Sequence, residues 1–198
     1  MTRPIRFGTD GVRGPAGEWP LDEAGARQIG FGISKWTEQG CIHIGRDTRT
    51  SGPRLEAAIV EGLLAGGSTV KLLGIVPTAA VSASVAHDQT ARAGIMITAS
   101  HNAWPDNGIK VVDTNGHKLI DPSPLVVHFA PPTGPGTGTA STHPGPLEAW
   151  KSALPDVDLG GKRVLLDAAH GASSIAAAVA IPDMTGMDHV NGCTPNFR

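Results

Sequence analysis

The sequence contains no tyrosine, and its aromatic residues amount to only 4% of 198 positions. A core held by aromatic stacking is therefore excluded. At 40% hydrophobic content, a core of Val, Ile, Leu and Ala is available instead. Two cysteines, Cys41 and Cys193, are too few and too isolated for a disulfide framework or a zinc site. No apolar run approaches the length of a membrane span. The opening Met-Thr-Arg-Pro-Ile-Arg-Phe-Gly lacks the apolar segment of a signal peptide. Nor is there a charge excess, with a formal net charge of -2 and a pI near 6.4. Neither nucleic acid nor a membrane surface is expected as a partner. The expectation is a cytoplasmic protein.

What the sequence does have is concentrated between Gly94 and Lys110. Ile95-Met96-Ile97 has the look of a buried strand, and it runs into Thr98-Ala99-Ser100-His101-Asn102. A serine at the mouth of a strand sits on a rigid base and can be offered to a ligand, which suits a nucleophile. The same residues suit an ordinary turn, because Ser and Asn bond their own backbone. Asn107-Gly108 reads as a turn, and Ile109 to Val112 as a further strand.

The rest alternates. Ile29, Ile33 and Trp36 recur at helical spacing within Leu21 to Gln39, and Cys41 to Gly45 reads as a strand. His43 in that strand reads as a strand-face residue rather than a ligand. A helix is expected from Pro53 to about Ala65, with Ser51 as its cap. Strand Thr69 to Leu73, helix Pro77 to Ala86 and strand Arg92 to Thr98 follow. Residues 6 to 19 read as loop. Their glycines and Arg13 could form an anion-binding backbone concavity or a flexible end. Arg46-Asp47-Thr48-Arg49 could bind phosphate or simply enter a helix. Strands alternating with helices predict an α/β class, a layered α/β/α sandwich over residues 1–120. Residues 121–159 are rich in Pro and Gly and read as a linker. Residues 160–198 restart the pattern with Gly161 to Asp167 and an Ala-rich helix at Ile175 to Ile181. They read as the start of a second, incomplete α/β domain.

Several motifs together carry a resemblance. Phe7-Gly8-Thr9-Asp10-Gly11-Val12-Arg13-Gly14, Gly45-Arg46-Asp47-Thr48-Arg49-Thr50-Ser51-Gly52, Pro77-Thr78, Thr98-Ala99-Ser100-His101-Asn102 and Asp106-Asn107-Gly108-Ile109-Lys110 resemble those of the α-D-phosphohexomutases. The first two blocks most resemble the phosphoglucosamine mutase branch. The resemblance is good over residues 6 to about 120 and loose beyond.

It implies an intramolecular phosphotransferase in which a phosphoserine passes its phosphoryl group to a hexose phosphate through a bisphosphate intermediate. The implied interconversion is of glucosamine 6-phosphate and glucosamine 1-phosphate, with mannose or glucose phosphates as alternatives. By motif position Ser100 carries the phosphate and offers a phosphate oxygen to Mg²⁺. Lys110 is the acid/base or the cation near the transferring oxygen, and Arg13 pairs with phosphate. His101 either orients the loop, shuttles a proton or packs the serine turn. Arg46 and Arg49 brace the turn after their strand. Asp106 and Asn107 shape the loop, with Asp106 an indirect approach to the metal.

The sequence also departs from the family. The Asp-Gly-Asp-x-Asp-Arg metal loop, the Gly-Glu-x-Ser-Gly-His sugar loop and the Arg-x-Ser-Gly-Thr phosphate loop are absent. Ala103 stands where the family has Pro. The expectation is a fragment of such a mutase, inactive on its own and prone to aggregate or form a homo-oligomer; the alternatives are a split enzyme completed by another chain carrying the later domains, and a non-catalytic binding or regulatory module.

Overall fold

The computed structural model describes residues 4–134, 136–152, 154–155 and 167–180. Six strands form one mixed sheet. They are β1 (Val12–Pro15), β2 (Cys41–Arg46), β3 (Thr69–Ile75), β4 (Ala91–Ile97), β5 (Asp106–Val112) and β6 (Thr139–Thr142). Their spatial order is β1-β5-β4-β2-β3-β6. The β4, β2, β3 and β6 strands run parallel, while β5 is antiparallel to both β4 and β1. Helices α1 (Glu23–Trp36), α2 (Gly52–Gly66), α3 (Thr78–Ala86), α4 (Ser123–Val126), α5 (Pro146–Ser152) and α6 (Ser173–Ala180) complete the described elements.

Two apolar clusters show how the layers stack. Ile29 and Ile33 of α1 meet Leu55, Ile59 and Leu63 of α2 over Ile42, Ile44, Ile95, Ile97 and Ile109 of the sheet. On the opposite face Ala80, Val81 and Val85 of α3 cover Leu73, Met96 and Val112, with Leu147 and Trp150 of α5 against them. Side chains alternate across a strand, so one run such as Ile42-His43-Ile44 serves both layers. The fold is the α/β/α sandwich that the sequence suggests, and β2 and β4 are buried on both faces as central parallel strands must be.

The helix starts are local. Asp22 is extended, and its Oδ1 accepts from Gly25 N at 2.7 Å, which caps α1. Pro53 lies in the first turn of α2, and left-handed Gly67 closes it. Ser51, expected as that helix's cap, has helical φ and ψ and makes no capping bond. Its Oγ instead accepts from Asn107 Nδ2 at 2.8 Å.

Three further expectations are corrected. Within the stretch read as loop, Val12–Pro15 is strand β1. Asn107-Gly108 is not a turn but lies inside β5, where Arg13 pairs with Gly108 and Gly14 with Asn107. The stretch 121–159 read as a linker contributes the one-turn α4, the edge strand β6, which adds to β3 in parallel register, and helix α5. The strand expected at Gly161 to Asp167 lies outside the described residues, save for Asp167. The Ala-rich helix is present as α6. Among the described residues no helix is long and apolar enough to cross a membrane.

His43 is fully buried on the α3 face. Burial pushes its imidazole down from 6.5 to about 4, against the pull of the Asp88 carboxylate. Burial also opposes the charge on Asp88. Hydrogen bonds from Lys71 and Thr90 outweigh that, and hold its carboxyl well below the usual range. A depressed imidazole pKa means that the folded state keeps His43 neutral while the unfolded chain takes up a proton. The His43 contribution is whole above pH 6.5 and is lost as pH falls through about 4. Its size is roughly 3 kcal/mol. Urea unfolding across that window should show the decline, and it should be absent in His43→Gln.

Candidate active site

The β4–β5 hairpin builds the serine loop. Ile97 pairs with Ile109, and the ladder extends by one bond, Thr98 N to Gly108 O at 2.9 Å. Beyond it the chain must turn back within residues 99–105. It does so with Ser100 in the left-handed region, at φ +59°. That conformation is costly for a residue with a side chain, and it persists only where surrounding bonds over-determine it.

The surrounding bonds come from the end of β2. Asp47, next after β2, accepts from Thr98 Oγ1 at 2.7 Å, and Thr98 Oγ1 in turn accepts from Ser100 N at 2.9 Å. Arg49 is fixed by Asp47, whose Oδ2 accepts from Arg49 Nε at 3.1 Å. Its Nη1 donates to the carbonyls of Ala103 and Asp106, each at 2.8 Å. Its Nη2 donates to the carbonyls of Ser100 at 3.0 Å and Asn102 at 2.8 Å. A guanidinium has five N–H donors, and all of them are used here. The bracing role expected for Arg49 is thus performed on the serine loop itself. The Asp106 carboxylate accepts from Asn102 Nδ2 at 2.9 Å, closing the loop from inside. Arg46 turns instead to Glu56 of α2, at 3.2 Å.

Arg13 approaches from β1. In the antiparallel register it stands opposite Gly108, and Lys110 lies two residues further along β5 on the same face. A Cβ at Gly108 would lie 3.0 Å from Arg13 Cγ and 2.6 Å from Thr98 O. The bare glycine is what lets Arg13 cross toward the loop, where Nη1 reaches Ala99 O at 3.5 Å. Among the described residues its buried Nε has no hydrogen-bond partner. Arg13 therefore differs from Arg49 in kind, since its donors are not all used within the protein.

Lys110 is half-buried. Burial, followed by repulsion from Arg13, pushes its ammonium below the ordinary range, with Asp10 and Asp47 pulling the other way. Ser100 and His101 are exposed. The register thus puts Arg13 and Lys110 on one face of the sheet, and Ser100 and His101 lie in the loop that joins β4 to β5. Sequence reasoning missed the Asp47–Thr98–Ser100 chain. Its signal was the spacing of Asp47 and Arg49 directly after a strand, which only the β2–β4 pairing connects to the serine.

A Mg²⁺ cage does not fit the residues present. Asp47 and Asp106 are engaged as described, and the exposed Asp10 bonds Lys118 at 2.6 Å. Cys41, His43 and Asp88 do converge, but at the opposite end of β2 and with sulfur and imidazole donors that Mg²⁺ does not favour.

Residues 4–125 match the family model described as phosphoglucomutase/phosphomannomutase, alpha/beta/alpha domain I. The chain is 39% identical over 189 residues to a phosphoglucosamine mutase of Deinococcus deserti, covering 87% of this chain and 42% of that protein. It is 37% identical over 207 residues to a phosphoglucosamine mutase of Geobacillus kaustophilus, covering 96% and 46%. It thus spans less than half the length of these curated relatives. A solved structure from Thermus thermophilus is similar at a TM-score of 0.68 and 29% identity, covering 77% of this chain and 36% of that one. A phosphoglucomutase/phosphomannomutase family protein of Burkholderia thailandensis gives 0.58 at 29% identity, covering 74% and 34%.

Arg49→Lys offers three donors to five acceptors, and leaves half-buried carbonyls unpaired. It should cost about 3 kcal/mol in urea unfolding. Amide hydrogen exchange should rise over residues 98–106 more than over α1 and α2.

Proposed function

The chain belongs to the phosphoglucomutase/phosphomannomutase family, and from that premise we propose that it is the phosphoserine part of a phosphoglucosamine mutase. Ser100 is the phosphoryl carrier. In the forward step the bond between phosphorus and Ser100 Oγ breaks. A bond forms to a hydroxyl oxygen of glucosamine 6-phosphate, that hydroxyl gives its proton to the acid/base, and the departing Ser100 Oγ takes up a proton in exchange. The resulting hexosamine bisphosphate reorients and returns its other phosphoryl group to Ser100 Oγ, leaving glucosamine 1-phosphate. A covalent phosphoserine divides one difficult transfer into two.

The observation that carries this reading is the contrast between two arginines. Arg49 spends every guanidinium donor on Asp47 and the loop that holds Ser100, while Arg13, which reaches the Ala99 carbonyl, keeps a buried Nε unspent among the described residues. A fixed serine beside an unsatisfied guanidinium suits a phosphoryl group, whose transfer depends on positioning and charge neutralisation. Lys110 is the acid/base of this reading. Its lowered ammonium pKa brings proton release closer to neutral pH. His101 steers the loop or relays a proton. The substrates are a hexosamine phosphate and a hexose bisphosphate primer.

The family's use of Mg²⁺ extends to this chain only through an oxygen of the Ser100 phosphate, since the carboxylates near the serine are engaged. No step above is assigned to the metal. On this reading residues 1–198 alone are inactive, and the later domains of the family complete the site.

The test is a coupled assay on glucosamine 6-phosphate with Mg²⁺ and a hexose bisphosphate. The expected result is no turnover by this chain alone, turnover when a chain carrying the later domains is added, and none with Ser100→Ala in the same mixture. Turnover by this chain alone, lost in Ser100→Ala, would overturn its proposed dependence on a partner. Absence of turnover in every mixture would remove the mutase reading and leave a binding module.

A further inference from the structure

The sheet has a second polar cluster, at the end remote from Ser100. Cys41 and His43 are two residues apart on β2, so both side chains leave the same face. Asp88 reaches them from the turn between α3 and β4. The three ligand atoms, one from each residue, lie within 4.8 Å of one another. We propose that Cys41, His43 and Asp88 form a site for a borderline divalent transition-metal ion, of which Zn²⁺ is the type.

Two of the three donors, His43 and Asp88, are held from behind. His43 Nδ1 is bonded to Ser84 Oγ of α3 at 2.7 Å, which turns Nε2 toward Asp88 Oδ2 at 3.1 Å. An imidazole anchored through one nitrogen to an oxygen is the arrangement found in metal-binding histidines. Asp88 Oδ1 accepts from Thr90 N at 2.9 Å and Thr90 Oγ1 at 2.6 Å, leaving Oδ2 for the cluster. A thiol, an imidazole and a carboxylate together suit zinc-like ions, and the sulfur and nitrogen argue against Mg²⁺ or Ca²⁺.

The cluster also holds a cation already. Lys71 pairs with His43 across the β2–β3 register, and its Nζ lies 2.5 Å from Asp88 Oδ2. Its side chain is 30% exposed, so the ammonium can swing to solvent without unfolding the strand. A divalent ion entering here displaces Lys71 from Asp88. The Cys41 thiol gives its proton to solvent, and the His43 Nε2 proton is replaced by one on Nδ1, directed at Ser84. A water takes the fourth position of a tetrahedral site. Distance along the sequence hides this arrangement: Cys41 looks isolated until the turn at Asp88 folds back beside it.

The experiment is a titration of this chain with Co²⁺, followed by its visible ligand-field bands and its near-ultraviolet thiolate-to-cobalt band, with Zn²⁺ as competitor. It is run in a Cys193→Ser background so that Cys41 supplies any thiolate. The expected result is one equivalent bound with the thiolate band present, and displacement by Zn²⁺. Cys41→Ser should abolish that band, and Ser84→Ala should weaken binding about 10-fold. Lys71→Met removes the resident competitor and should tighten binding about 10-fold, a gain that a misfolded protein cannot give. Binding without a thiolate band, or unchanged affinity in Lys71→Met, would overturn the proposal. The readout requires no mutase activity, so it stands or falls apart from the role of Ser100.

Discussion

The five hydrogen bonds of Arg49 are the constraint on which the candidate site depends. Four carbonyls in the short stretch from Ser100 to Asp106 face inward to one guanidinium. Without it they would repel one another and seek water, and the loop would open. The Asp47 carboxylate does two jobs at once. It neutralises Arg49 and accepts from Thr98, whose hydroxyl oxygen takes the Ser100 amide. The left-handed backbone of Ser100 is thus imposed from outside the loop. Asp47 and Arg49 follow β2, and β2 pairs with β4, so the parallel pairing at the centre of the sheet brings the clamp to the hairpin.

Legibility in the sequence followed range. Periodicity revealed α1, β2, α2, β3, α3 and β4, because each buries a stripe that its own residues define. It failed where a distant partner decides. Asn107 and Gly108 have the chemistry of a turn, yet they are held extended between β1 and β4. Val12–Pro15 follows Gly11, contains Gly14 and has no alternation to mark it, and becomes a strand only because β5 is there to pair with it. Ser51 has the composition of a cap, but Asn107 claims its hydroxyl. Thr139–Thr142, all exposed, is a strand through its bonding to the edge of β3 rather than through burial. The site residues Ser100, Arg13 and Lys110 were readable from motifs. The difference between Arg13 and Arg49 was not, since it resides in which donors are already used.

The two polar clusters sit at opposite ends of the same central strand and obey opposite logic. At the carboxyl end of β2, bonds converge on a backbone loop and leave the serine exposed. At the amino end, they converge on side chains, and a lysine already neutralises the carboxylate. The apolar middle of the strand, Ile42 and Ile44, separates them.

The pairing of β1 with β5 has a consequence for how the molecule comes to exist. Arg13 and the Ala99 carbonyl are 86 residues apart in sequence. Closing so large a loop costs entropy before any contact repays it, and such contacts form late in folding. The central helices and parallel strands can assemble from near neighbours while Arg13 is still free. The placement of Arg13 beside the serine loop is therefore a property of the finished fold only. A nascent or partly opened molecule has the loop without that guanidinium, so whatever needs both must wait for the first strand to dock.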